Sequence, residues 1–160
     1  MVHILGNTNS VFNNFIAEIR DITIQKDSMR FRRNMERMGE IFAYEISKHL
    51  SYTEKEVTTP LGIAKVNTVN ENIVVGTILR AGLPLHQGVL NYFDGAQNAF
   101  IAAYRKHHKD GSFDIQVEYV SSPELADKIL ILTDPMLATG ASMAITYKHI
   151  LQRGKPKHTH

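Results

Sequence analysis

The 160-residue chain is predicted to fold as an α/β domain: a mainly parallel sheet flanked by helices, with N-terminal helices and a β-arm in front of it. Three observations predict this. From Asn72 onward, short apolar runs alternate with segments of helical period, the rhythm of parallel strands joined by crossover helices. Arg80, Arg105 and Asp134 each fall at the carboxyl end of such a run, where parallel sheets bind their ligands. Before residue 70 the pattern is first helical, then alternating and interrupted. The whole of 1–160 reads as a single domain, with helices and arm in 1–70 and the α/β core in 71–160.

The elements follow in order. Ser10 to Ile19 spaces Val11, Phe12, Phe15, Ile16 and Ile19 at helical intervals, with Ser10 as its cap. A second helix spans Ser28 to about Leu50, striped by Phe31, Met35, Met38 and Phe42. Val57 to Val69 alternates but is broken by Pro60 and Gly62, so it reads as an arm or hairpin rather than a central strand. Ile73–Leu79 is a buried strand and Leu83–Tyr92 a short helix. Ala99–Tyr104, Gln116–Val120 and Lys128–Thr133 are further strands, and Ala141–Leu151 is the last helix.

Bulk properties exclude several classes. Hydrophobic content of 43% and charged content of 21% are those of an ordinary globular chain. Zero cysteines remove disulfides, thiolate catalysis and thiolate metal sites. No run approaches the roughly 18 apolar residues of a membrane span, and Met1–Ser10 lacks a signal-like pattern. A net charge of +2 is too small to argue for nucleic acid as a partner.

Most of the chemistry lies in Ile129–Ser142, ILILTDPMLATGAS. A strand ends at Asp134, a small-residue loop follows, and a helix opens. The N-terminus of that helix offers unpaired N–H groups and a positive dipole end to a phosphate. Thr139 and Ser142 add hydroxyls, Gly140 permits close approach, and Asp134 can accept hydrogen bonds from sugar hydroxyls. An ordinary strand followed by a Thr-capped helix uses the same residue types. Arg80-Ala81-Gly82 closes the first central strand, where amides and a guanidinium suit a diphosphate, or where an arginine simply flanks a strand end. Arg105 is followed by Lys106, His107, His108 and Lys109, which read as a solvated loop. His107-His108 and His158-Thr159-His160 lack metal-ligand spacing, so no protein-held metal is expected. Arg30, Arg32, Arg33 and Arg37 make a polar helix face suited to solvent or to ion pairs between subunits, with a nucleotide-effector site as the sharper alternative.

DPMLATG after an apolar strand resembles the phosphoribosyl-diphosphate signature of the uracil phosphoribosyltransferases, which are of the type I fold. Pro135 stands where most related transferases carry a second acid. Leu79–Leu83, LRAGL, matches the family's diphosphate loop, although Pro84-Leu85 replaces its usual Gly-Met. Tyr104-Arg105 falls where its second diphosphate arginine falls, and Asp27–Arg32 resembles its N-terminal region.

The resemblance implies transfer of phosphoribosyl from 5-phosphoribosyl 1-diphosphate to uracil, giving UMP. Arg80, Ala81, Gly82 and Arg105 would serve the diphosphate. Asp134, within the signature run Asp134-Pro135-Met136-Leu137, would anchor the ribose, and Ala138, Thr139, Gly140, Ala141 and Ser142 the 5′-phosphate. Asp134 and Arg105 are the expected catalytic residues. The resemblance further implies substrate-borne Mg2+, a GTP effector and assembly at least as a homodimer, and the zero cysteines fit a cytoplasmic location. A non-catalytic regulator on the same fold, sensing nucleotides or RNA, is the alternative. The family's uracil loop follows a further strand that begins near Gly154–His160, so the chain is expected to be a fragment without it, forming no measurable UMP.

Overall fold

The structure, a computed structural model, describes residues 2–107 and 113–160, with the side chains of 105–107 and 113–114 outside the described set. Five strands form one sheet in the order β5-β4-β3-β6-β7. These are β3 (Ile73–Leu79), β4 (Gln97–His107), β5 (Phe113–Ser121), β6 (Ile129–Thr133) and β7 (His158–Thr159). Neighbours run parallel except β4 and β5, which pair antiparallel. β3 is central because its seven residues are apolar or small and six of them are buried, leaving no face for water.

Alternation along the strands assigns the two faces. Ile73, Val75, Ile129 and Ile131 pack with Ala43 and Val89, from α2 (Ser28–Ser47) and α3 (Leu83–Leu90). Val74, Leu130, Ala99 and Ile101 pack on the other face with Ile150 of α4 (Ala141–Ile150) and with Leu125. An outer layer, in which Phe12 of α1 (Phe12–Arg20) meets Met38 and Leu85, covers α2 and α3. Among the described residues no helix is long and apolar enough to cross a membrane.

The arm is a hairpin of β1 (Tyr52–Thr59) and β2 (Gly62–Val69), closed by Pro60-Leu61. It begins five residues before Val57, because Thr53-Glu54-Lys55-Glu56 is too polar to register as a strand on its own. Ser10 accepts from the Phe12 amide at 3.3 Å, but Val11 is the residue at the helix boundary. Asp27 caps α2, its carboxylate accepting from the Met29 and Arg30 amides at 3.1 and 3.0 Å.

One expectation is corrected. Arg105 does not end a strand: β4 continues to His107, and Arg105 pairs with Ile115 across the β4–β5 ribbon. The ribbon outruns the rest of the sheet, since the last pairing of β3 is Leu79 with Ala102. His108 and Lys109, the remainder of the basic run, lie outside the described residues.

Candidate functional site

β3 and β6 are adjacent and in register, Thr77 opposite Thr133. Arg80 and Asp134, the first residues beyond these strands, therefore leave the sheet at the same carboxyl rim. Arg105 lies on the other neighbour of β3, three residues past the level of Leu79. Backbone register thus brings Arg80 and Asp134 to one rim, on adjacent strands spaced about 4.8 Å apart, and carries Arg105 past that rim on the neighbouring strand. The Arg105 side chain lies outside the described residues.

The turn after β3 is tight. The Leu79–Arg80 peptide is cis, the Gly82 amide donates to the Ile78 carbonyl at 3.1 Å, and the Leu83 amide donates to the Arg80 carbonyl at 3.3 Å. Arg80 and Ala81 face solvent while Gly82 is buried. A β-carbon on Gly82 would collide with the Thr77 hydroxyl and stand 2.8 Å from the Ile78 carbonyl oxygen. Only glycine allows this approach.

Asp134 is half-buried, and a cavity of about 240 Å3 beside it is walled by Phe42, Leu85, Val89, Met143 and His160. That apolar surrounding pushes its carboxyl above the ordinary value, partly offset by the Met136 amide. Pro135 is half-buried, and Met136, Leu137, Ala138 and Thr139 are exposed. The chain then turns at Gly140, φ +75°, a left-handed conformation that suits glycine, into the first turn of α4. Thr139 Oγ1 accepts from the Ala141 amide at 3.4 Å, with Ser142 one residue on. An exposed loop feeding a helix N-terminus beside a carboxylate can hold a phosphate at one end and sugar hydroxyls at the other.

The oxygen donors of this rim are the Asp134 carboxylate and the Thr139 and Ser142 hydroxyls. Among the described residues no three His, Asp or Glu side chains gather into a ligand set for a metal. Such a rim fits a hard cation brought in on a ligand's own oxygens, rather than one held in a protein cage.

Two site residues escaped the sequence reading. Thr77 and Thr133 are both buried, and Thr133 Oγ1 donates to the Gly76 carbonyl at 3.0 Å. The available signal was a hydroxyl in each of two otherwise apolar runs, a few residues before Arg80 and immediately before Asp134.

Comparison with known proteins follows the same outline. The family model for uracil phosphoribosyltransferase matches residues 7–159. The uracil phosphoribosyltransferase of Porphyromonas gingivalis is 54% identical over 156 residues, covering 98% of this chain and 72% of that protein. Among solved structures, the AQ2163 protein from Aquifex aeolicus aligns with a TM-score of 0.81 at 29% identity, covering 95% of this chain and 72% of that one. A hypoxanthine phosphoribosyltransferase from Staphylococcus aureus shares the fold, with a TM-score of 0.54 at 13% identity over 80% of this chain and 60% of that one.

Proposed function

The chain belongs to the uracil phosphoribosyltransferase family, and we propose the following division of labour for the pentosyl transfer that makes UMP from uracil and phosphoribosyl diphosphate in pyrimidine salvage. The bond from the anomeric carbon to diphosphate breaks, a bond to a uracil ring nitrogen forms, and that nitrogen's proton leaves to solvent. The departing diphosphate gathers negative charge, and the Arg80 guanidinium and the amides of the Arg80–Gly82 turn meet it. Arg105, whose backbone lies on the β4–β5 ribbon, is proposed as the second cation for the same group. The Asp134 carboxylate accepts from the ribose hydroxyls and lies near the positive charge that develops on the ring. The 5′-phosphate takes the amides and hydroxyls of Ala138 through Ser142, at the dipole end of α4.

Mg2+ fits this rim as a substrate-borne ion that the ligand's diphosphate and waters would chiefly hold, with Asp134 the carboxylate beside it, and it would supply neutralisation of the leaving diphosphate. The reading is carried by one observation, the exit of Arg80 and Asp134 from paired strands at a common rim. Titration calorimetry with phosphoribosyl diphosphate and Mg2+ tests it. Arg80→Ala and Asp134→Asn are each expected to lose affinity at least tenfold, and unchanged affinity in both overturns the assignment.

Three further parts of the proposal rest on separate features. The β1–β2 hairpin carries Leu61 and Ile63 almost bare, at 101% and 70% exposure, and among the described elements it packs substantially only on itself. A lone hairpin is marginal in water, so assembly into a homodimer or larger oligomer gives it cover. GTP is the proposed effector. Its candidate site is an open groove of about 730 Å3 where Arg32 and Arg33 offer cations for phosphates beside Phe100, Leu83 and Met29 for a base. The proposed location is the cytoplasm, whose reducing chemistry suits a chain with zero cysteines.

A further inference from the structure

We propose that Thr77 is a positioning residue whose buried hydroxyl holds the Arg80–Gly82 turn and the Asp134 loop in one fixed relation. The inference rests on the reading of those two segments as the grips on phosphoribosyl diphosphate, and it adds a part that touches neither substrate end.

Thr77 has 0% exposure, inside the central strand and among Val74, Val75 and Ile78. Valine would fill that volume as well and would spare the desolvation of a hydroxyl. The hydroxyl has two contacts, and they lie on different halves of the site. Its Oγ1 donates toward the carbonyl of Thr133, the residue before Asp134, at 3.5 Å. It also occupies the space that a β-carbon on Gly82 would need, so the backbone of the Arg80–Gly82 turn rests directly on it. The Thr133 hydroxyl returns the connection by donating to the Gly76 carbonyl at 3.0 Å. Each threonine is thus tied to the strand of the other, at the last level before the two loops diverge.

The bond from Thr77 is long, at the outer limit of useful hydrogen-bond geometry, so it adds little to folding stability. Its position is what counts. A methyl group in place of Oγ1 needs several tenths of an ångström more from the Gly82 backbone, and the turn carrying Arg80 is the part free to move. The Asp134 loop would stay where β6 holds it. A ligand that spans both loops would then meet two half-sites out of register, whereas a ligand that touches one loop would not.

Calorimetry on the whole chain with Mg2+ separates these effects, using phosphoribosyl diphosphate, inorganic diphosphate and ribose 5-phosphate as probes. Thr77→Val is expected to weaken phosphoribosyl diphosphate by about three- to tenfold while each half-ligand changes less than twofold and the melting temperature holds. Thr77→Ser, which keeps Oγ1, is expected to restore the wild-type value. Thr77→Ala removes the hydroxyl without adding bulk and serves if the valine variant does not fold, with the same selective loss expected. Equal weakening of all three probes, or a loss that serine does not rescue, overturns the positioning role. If wild type fails to bind phosphoribosyl diphosphate, or Arg80→Ala binds it as wild type does, the underlying site reading is what fails. A normal Arg80→Ala defect beside an unaffected Thr77→Val refutes the Thr77 role alone.

Discussion

Gly39 of α2 and Gly88 of α3 meet backbone to backbone: a β-carbon on Gly39 would stand 3.0 Å from the Gly88 Cα and collide with the Leu85 carbonyl. A β-carbon on Gly88 would strike the Glu36 carbonyl and stand 3.0 Å from the Glu40 amide nitrogen. The obstacles are backbone atoms, which cannot rotate away as a side chain can. Gly88→Ala is therefore expected to destabilise the fold by about 1–3 kcal/mol. Urea unfolding should show a lower midpoint at unchanged slope, and an unchanged midpoint would mean that the helices separate at no cost. Because α3 begins at Leu83, directly after the Arg80–Gly82 turn, the same variant should also weaken phosphoribosyl diphosphate binding.

A second tie joins α1 to α2. Glu18 accepts from Asn34 Nδ2 at 2.6 Å and from Arg30 at 3.1 Å, and Asn34 Oδ1 accepts from Arg37 at 3.1 Å. Asn34 is fully buried, so it is the joint on which the others depend. Asn34→Ala leaves a cavity and removes one hydrogen bond from each of Glu18 and Arg37, at an expected cost of about 1–3 kcal/mol. Glu18→Gln keeps an acceptor for the Asn34 amide and should cost clearly less. Thermal melts of the two variants give the ranking, and a reversed order would relocate the joint to the charge.

What could be read in the sequence follows from burial. Ile73–Leu79 stands in the structure with the predicted bounds because a seven-residue apolar run between Asn72 and Arg80 has one home, the middle of a covered sheet. Asp134 and Arg80 were legible for the same reason, as polar residues ending such runs. β1 was only half visible because its first residues alternate charge rather than hydrophobicity. The extension of β4 past Tyr104 was missed because its pairing there is with β5, beyond Leu79 with Ala102, the last level at which β3 pairs with it, and a hairpin partner later in the chain is not encoded in local pattern. The glycine crossing of α2 and α3 and the Thr77–Thr133 pair depend on contacts between residues about fifty positions apart, which local pattern does not encode.

A buried imidazole, His86, and a half-buried one, His160, are expected to make stability fall toward acid. His86 is 4% exposed with Nε2 at 3.3 Å from the Val75 carbonyl, and burial holds its pKa below the ordinary 6.5, the carbonyl opposing. His160 is lowered chiefly by burial and then by the charges of His158, His49 and His3. His158 and His160 have ring centroids 4.6 Å apart, and His3 and His49 4.9 Å. With folded pKa values below the unfolded ones, the unfolded chain takes up protons first. Stability is then at its full value above about pH 6.5 and declines as pH falls below it. Urea midpoints from pH 8 to 5 should trace this decline, and His86→Gln should flatten part of it. A midpoint independent of pH over that span would contradict the assignment of both groups.

Asp134 titrates in the opposite sense, and this separates its service to the ligand from its effect on the fold. Its carboxyl is pushed above the ordinary 3.8 chiefly by burial, so the ionised form is the less favoured one in the folded chain. Here the folded state holds its proton longer than the unfolded state, and stability declines as pH rises from 3.8 through the folded value. Above that value the penalty persists at full size. Asparagine fills nearly the same volume and can still accept from the Met136 amide, but it carries no charge to desolvate. Asp134→Asn is thus expected to melt higher than wild type at pH 7, with the difference shrinking toward zero below pH 4. On the proposed ribose role, the same change turns one accepting oxygen into a donor, so affinity for phosphoribosyl diphosphate should drop even as the protein becomes more stable. A variant both less stable and weaker in binding would mean that the carboxylate is held by the fold for structural reasons, and a variant that binds normally would remove it from the ribose grip.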